Sequence, residues 1–259
     1  MRMMKKVLGT VTVLALSASL LAGCGSTAAS PVSSAASTAA ESTTSSVVSE
    51  TTSAAADENV AAAAQLLNDL TGSYQELWPV ILADEYQQTW LDDCTALVGE
   101  ENAEAAFEKL SSMVTSDVYG EDAVEAYANG GGAYFCGFTN SLATLTFDGE
   151  TSTISGTDKD GNVLFSHTYH YIGMEPVHGL YEFESDDADS GEFTYFFLAP
   201  DTSAETYHIE FRYGSDAEAL SQYDAGEYAY WVASGISTDC DQTMIDNCIK
   251  LFCTENLAG

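Results

Sequence analysis

Apolar positions keep helical spacing through the first half of the chain and strand spacing through most of the second. Leu66, Leu67 and Leu70 gather on one side of a helix expected over residues 60–70, and a short apolar piece follows at 77–82. Tyr86, Trp90, Leu91 and Leu97 mark a helix over 84–98, and Ala105, Phe107, Leu110 and Val114 mark another over 101–114. A shorter helix over 121–128 stops at Gly130-Gly131-Gly132, which connects helix to strand and is no phosphate loop, because no helix start follows it. Beyond these glycines the period falls to two. Strand-like runs are expected at 133–138, 142–147, 152–156, 163–172, 180–184, 193–198 and 206–213. Asp148-Gly149, Asp160-Gly161 and Ser190-Gly191 separate apolar runs as hairpin turns do. Helix returns at 216–222 and again in the tail, where Asp239 reads as an N-cap ahead of Met244, Ile245, Cys248, Ile249 and Phe252. Seven short strands joined by turns predict an antiparallel meander closing into a small barrel, an α+β fold with helices at both ends.

The N-terminus has a different character. Arg2, Lys5 and Lys6 precede an apolar run over 7–21, and Leu21-Ala22-Gly23 leads into Cys24, the layout of a signal peptide over 1–23 ending at a bacterial lipobox. Cys24 is therefore the expected lipidation site, and two acyl chains on one residue would hold the protein at the extracytoplasmic face of the cell membrane. Residues 24–57 are dominated by Ser, Thr, Ala and Val without an aromatic residue, which predicts a disordered stalk between anchor and domain. Residues 58–259 then form the folded domain.

Net charge sharpens the picture. The chain carries 40 acidic against 7 basic residues, a formal charge of −33, and removal of residues 1–23 takes three of the basic ones with it. Such a field opposes nucleic acid, whose recognition needs clustered Lys and Arg; it makes cations the natural small partners, or on charge alone simply keeps an exported protein soluble and apart from its neighbours.

Several strings resemble the ZinT (YodA) family of bacterial zinc-binding proteins, calycin-type barrels. Leu70-Thr71-Gly72-Ser73-Tyr74 with Leu77-Trp78-Pro79 resembles the family's opening segment. His170-Tyr171-Ile172-Gly173 with Gly179-Leu180-Tyr181-Glu182-Phe183-Glu184 resembles its central hairpin, and His208-Ile209-Glu210-Phe211-Arg212-Tyr213-Gly214 its metal strand. The resemblance implies a calycin-like barrel and a divalent-metal site, with zinc (Zn2+) as the ion. The family's metal strand carries His-x-His, with a third His on the preceding strand. Here His208 matches the first position, Glu210 stands at the second, and 193–198 offers no His. Alternate residues of a strand share a face, so the resemblance implies His208 and Glu210 as a ligand pair. His167 and His170 lie on opposite faces of one strand, and His170 is the expected third ligand, with solvent as the alternative; His178 reads as a turn residue.

Of six cysteines, five remain after Cys24. An odd number leaves one thiol unpaired; Cys94 with Cys136, or a tail cysteine (Cys240, Cys248, Cys253) with either, are the pairings compatible with disulfides, and buried free thiols are the alternative. No nucleophile elbow, His-Glu-x-x-His or phosphate loop is present, so no enzyme is expected. Asp186-Asp187-Ala188-Asp189 lacks the oxygen spacing of an EF-hand and reads as a solvated hairpin tip. The function expected is that of a membrane-tethered metal-binding lipoprotein, which could serve an envelope transporter. The alternative is a metal-free calycin domain binding a small apolar ligand or a protein partner.

Overall fold

A computed structural model describes residues 47–199 and 208–258 of the chain. The expected signal peptide, the expected lipidation site Cys24 and most of the stretch read as stalk lie outside the described residues.

Eight antiparallel strands form a closed barrel in sequence order. They are β1 (Gly72–Glu76), β2 (Thr144–Asp148), β3 (Thr153–Thr157), β4 (Val163–Met174), β5 (Tyr181–Ser185), β6 (Tyr195–Leu198), β7 (His208–Gly214) and β8 (Ala233–Ser237). Closure comes from β8 pairing back on β1, with Tyr74 opposite Ser237 and Glu76 opposite Gly235. Helix α1 (Val47–Asp69) precedes the barrel, and α2 (Leu77–Ile81), α3 (Gln87–Val98), α4 (Glu100–Ser112) and α5 (Glu121–Ala128) lie between β1 and β2. Helix α6 (Ala217–Leu220) follows β7, and α7 (Gln242–Leu257) ends the chain. The α+β barrel with helices at both ends is therefore the architecture that the hydrophobic pattern and the ZinT resemblance implied.

Six of the seven expected strands are found as β2 to β7. Residues 133–138 differ: they run beside the approach to β8, joined to it by an isolated bridge between Phe135 and Trp231. Phe135 N–H donates to the Tyr230 carbonyl at 3.0 Å, Val232 N–H to Phe135 at 3.1 Å and Ser234 N–H to Cys136 at 3.0 Å. The positions that 133–138 would have filled are taken by β1 and β8, whose sequences, Gly-Ser-Tyr-Gln-Glu and Ala-Ser-Gly-Ile-Ser, carry little strand signal. The first helix reaches back to Val47, beyond the expected start at residue 60 and into the stretch read as stalk. The tail helix is capped by Asp241, not Asp239; its carboxylate accepts the Met244 N–H at 3.0 Å.

Two apolar cores result. One fills the barrel: Phe165 and Tyr169 from β4, Phe183 from β5, Phe196 from β6 and Phe211 and Tyr213 from β7 are all buried there. Rings meet across this interior, Phe196 lying 5.4 Å from Tyr213 and Tyr169 5.4 Å from Phe196 between centroids. Ala63, Leu66, Leu67 and Leu70 bring α1 onto the same core. This approach is tight at the β2–β3 turn, where a Cβ on Gly149 would come within 2.4 Å of the Asn68 Cα. The second core lies outside the barrel wall and joins α2, α3, α4 and α7 through Trp78, Trp90, Leu110, Ile249 and Phe252. Trp78 meets Phe252 edge to face at 4.7 Å, and the Trp90 indole N–H donates to the Ile81 carbonyl at 2.7 Å.

Arg212 is fully buried on the outer side of β7. Its guanidinium donates to the carbonyls of Leu220, Gln222 and Tyr228, and lies 4.3 Å above the Tyr223 ring. One cation thus gathers the winding segment between α6 and β8, whose carbonyls have no strand partner there. Replacing Arg212 with Met leaves those carbonyls unpaired, and a loss of about 3 kcal/mol in urea-unfolding free energy is expected. An unfolding midpoint equal to the native one would contradict this role.

Candidate functional site

The alternation of β7 gives its two faces separate tasks. Ile209, Phe211 and Tyr213 enter the barrel core. His208 and Glu210, on the other face, both line a cleft between the barrel wall and the helices. Register places His208 opposite Ile236 and Glu210 opposite Ser234 of β8. The opposing walls come from α2, through Leu77, Trp78 and Ile81, and from α7, through Cys248, Leu251, Phe252 and Glu255. The cleft is small, about 30 Å³, enough for an ion or one or two waters and too small for an organic ligand.

Its electrostatics follow from burial. His208 retains some exposure, but loss of solvation around the imidazole lowers its pKa to about 4. The ring is therefore neutral at physiological pH, the form in which histidine ligates a metal. Burial acts in the opposite sense on Cys248, whose thiol is pushed up to about 12, so it holds its proton at neutral pH. Glu210 also borders a second small cavity on the other side of Trp78, together with Cys136 and Ser234. Burial, with Glu210 nearby, raises the Cys136 thiol as well.

His170 is not part of this cleft. It projects from the outside of β4, its side chain 52 % exposed, with Nδ1 2.7 Å from Asp186 and Nε2 3.9 Å from Glu184. Strands β5 and β6 lie between β4 and β7, and the ladder carries His170 through Glu184 and Tyr195 to Gly214, the far end of β7 from His208. At about 4.8 Å per strand and 3.3 Å per residue the separation from His208 is on the order of 20 Å. His167, on the inward-leaning side of β4, is held by Asp187 at 2.7 Å. The acidic hairpin tip thus serves as partner to the two β4 histidines. His178 sits in the β4–β5 turn as expected, but buried there, with its ring centroid 3.9 Å from that of Tyr223 and its backbone N–H donated to Glu175 at 2.6 Å.

Two residue types suited to metal stand together at the cleft, and two more border it from α7. Among the described residues, no three His, Cys, Asp or Glu side chains gather closely enough to hold an ion as they stand. His208 and Glu210 are the donor pair that β7 brings to the cleft, with Cys248 and Glu255 on its α7 wall. Cys248 and Glu255 were not among the expected ligands, yet their signal was there. Positions 248, 251, 252 and 255 follow the i, i+3, i+4, i+7 spacing of one helical face.

No family model matches the chain, and no curated protein matches it. Among solved structures, the chain is similar to the Zn(II)-bound ZinT-like domain of AdcA from Streptococcus pneumoniae, at 15 % identity and a TM-score of 0.45, over 71 % of this chain and 89 % of that one. It is also similar to Zn(II)-bound AdcA from the same organism, at 14 % identity and a TM-score of 0.42, over 72 % of this chain. The chain spans only 35 % of that second protein.

The lowered pKa of His208 carries a sign for stability. Unfolded, the imidazole takes up a proton near pH 6.5, whereas folded it does so only near 4. The unfolded chain therefore binds more protons between these values, and stability falls as pH drops through that window. In chelator-treated protein the native chain should lose up to about 3 kcal/mol more than His208→Gln between pH 6.5 and 4, by urea unfolding at each pH. Parallel curves for the two proteins would show that His208 titrates alike in both states.

Proposed function

We propose that this chain binds a divalent metal ion, zinc foremost, by coordination at the His208–Glu210 cleft. The observation that carries the reading is that alternate residues of one strand bring a neutral imidazole and a carboxylate into the same partly buried cleft. Nitrogen and carboxylate oxygen together suit zinc better than calcium or magnesium, which prefer all-oxygen sites. Glu255 lines the same cleft from α7 and adds a second carboxylate to its wall. Two protein ligands with solvent in the remaining positions make an exchangeable site, suited to capture and release. The aromatic filling of the barrel supports this over the capture of an apolar ligand in its interior.

In this reading the domain works outside the cytoplasm, and Cys24 supplies the tether. The strongly acidic surface attracts cations toward the domain. A Cys24→Ser chain expressed in a bacterium should leave the membrane fraction and lose its incorporation of labelled fatty acid. Equal labelling of the two proteins would remove the tether from the proposal.

The metal reading is tested by thermal unfolding of the full chain, first with chelator and then with zinc. A ligand held only by the folded state stabilises it by about 2.7 kcal/mol at a hundredfold excess over Kd, a rise of roughly 5–10 °C. His208→Ala should abolish that rise, and Glu210→Gln should weaken it. Absence of a zinc-dependent shift in the native chain would sink the proposal.

A further inference from the structure

We propose that Cys94 and Cys253 form a disulfide that pins the C-terminal helix α7 to α3. Their sulfur atoms are 3.9 Å apart, the contact distance of two thiols facing each other. Neither residue has any solvent exposure. A disulfide needs the sulfurs at about 2.05 Å, a gap that side-chain rotation can close where the two Cβ atoms already face one another.

The surroundings hold the two cysteines in place. Trp90, one turn before Cys94 on α3, meets Phe252, the neighbour of Cys253 on α7, at 6.0 Å between ring centroids. Trp90 also packs on Phe107 of α4 at 5.5 Å, so both helices are seated by a shared aromatic cluster. Cys248 is no competitor for Cys253: five residues along one helix, the two are too far apart to bridge. Of the pairings compatible with the sequence, the geometry singles out this one.

The chemistry requires an oxidant, and a small-molecule disulfide such as oxidised glutathione supplies it. The Cys253 thiolate attacks one glutathione sulfur, forming a mixed disulfide and releasing one glutathione thiolate. The Cys94 thiolate then attacks the Cys253 sulfur, closing the protein disulfide and releasing the second. The protein thiols lose two electrons and two protons, which end as two glutathione thiols. Burial raises both thiol pKa values, so the exchange proceeds while α7 is undocked, and docking then shields the bond from reduction.

Two consequences follow. The bridge joins cysteines separated by 159 positions, so the unfolded chain loses much of its freedom. It also fixes the helix that carries Phe252 and Glu255 along the cleft. The bond itself needs no metal, so its test is separate from that of metal binding.

The full chain is reduced, unfolded, and refolded in a glutathione redox buffer without added metal. Remaining thiols are alkylated under denaturing conditions, and the protein is mapped by non-reducing peptide mass spectrometry. A peptide joining Cys94 to Cys253 is expected, with a melting temperature about 5–10 °C above that of the reduced form. Cys94→Ser and Cys253→Ser should each lose the added stability, and Cys240→Ser should keep it. Alkylation of both cysteines in the refolded native chain, or Cys253 joined to a different cysteine, would overturn the proposal. Because the peptide map is read on the native chain, its result decides the matter even if a variant fails to fold.

Discussion

Closure of the barrel through β1 is the constraint on which the rest of the molecule depends. This five-residue strand is bonded to β2 on one side and to β8 on the other, so no strand is left with an open edge. Meeting β8 at Glu76 forces the chain outward, and α2 begins at the next residue. The Glu76 carboxylate accepts the Phe138 N–H at 2.6 Å, tying the returning 133–139 segment to the same corner. Trp78 is thereby delivered to the outside of the wall, where it becomes the seat for α7. The inner and outer cores are two sides of one closed surface.

The cleft lies on the outer side of that surface. Its ligand-type residues belong to a strand that also builds the barrel interior, so their positions are set by packing rather than by a mobile loop. The charge distribution reinforces the arrangement. Of the four basic residues beyond the N-terminal region, Arg212 is consumed inside the fold, bonded to carbonyls, which leaves only Lys109, Lys159 and Lys250 to balance the acidic surface.

Much of this architecture was legible in the chain. Strands β2 and β4 to β7 announced themselves through large apolar side chains that fill the barrel, and β3 through Ile154 between two turn signals. Strands β1 and β8 did not: their contribution is backbone pairing in tight quarters, where Gly235 lies so close to Ile209 that a Cβ there would be 3.1 Å from it. Strand β8 is mostly small residues and β1 offers a single apolar one, Tyr74, so neither carries a period. At the site, strand alternation alone foretold that His208 and Glu210 would share a face, but whether that face was lumen or exterior depended on closure. The distance to His170 depended on it as well, since a residue's place around a barrel is fixed by strand order and register together.

The junction of α1 with β1 has a mechanical meaning. Helix α1 is anchored on the barrel core by its leucines and continues into β1 within three residues, at Gly72. A pull applied at the N-terminal end of the described chain therefore reaches the barrel through a strand held by ladders on both sides. The load divides between two sets of hydrogen bonds, and no free edge exists from which the sheet could be unzipped one bond at a time. A load entering at that end would be shared by both ladders before it reached the helices beyond Glu76.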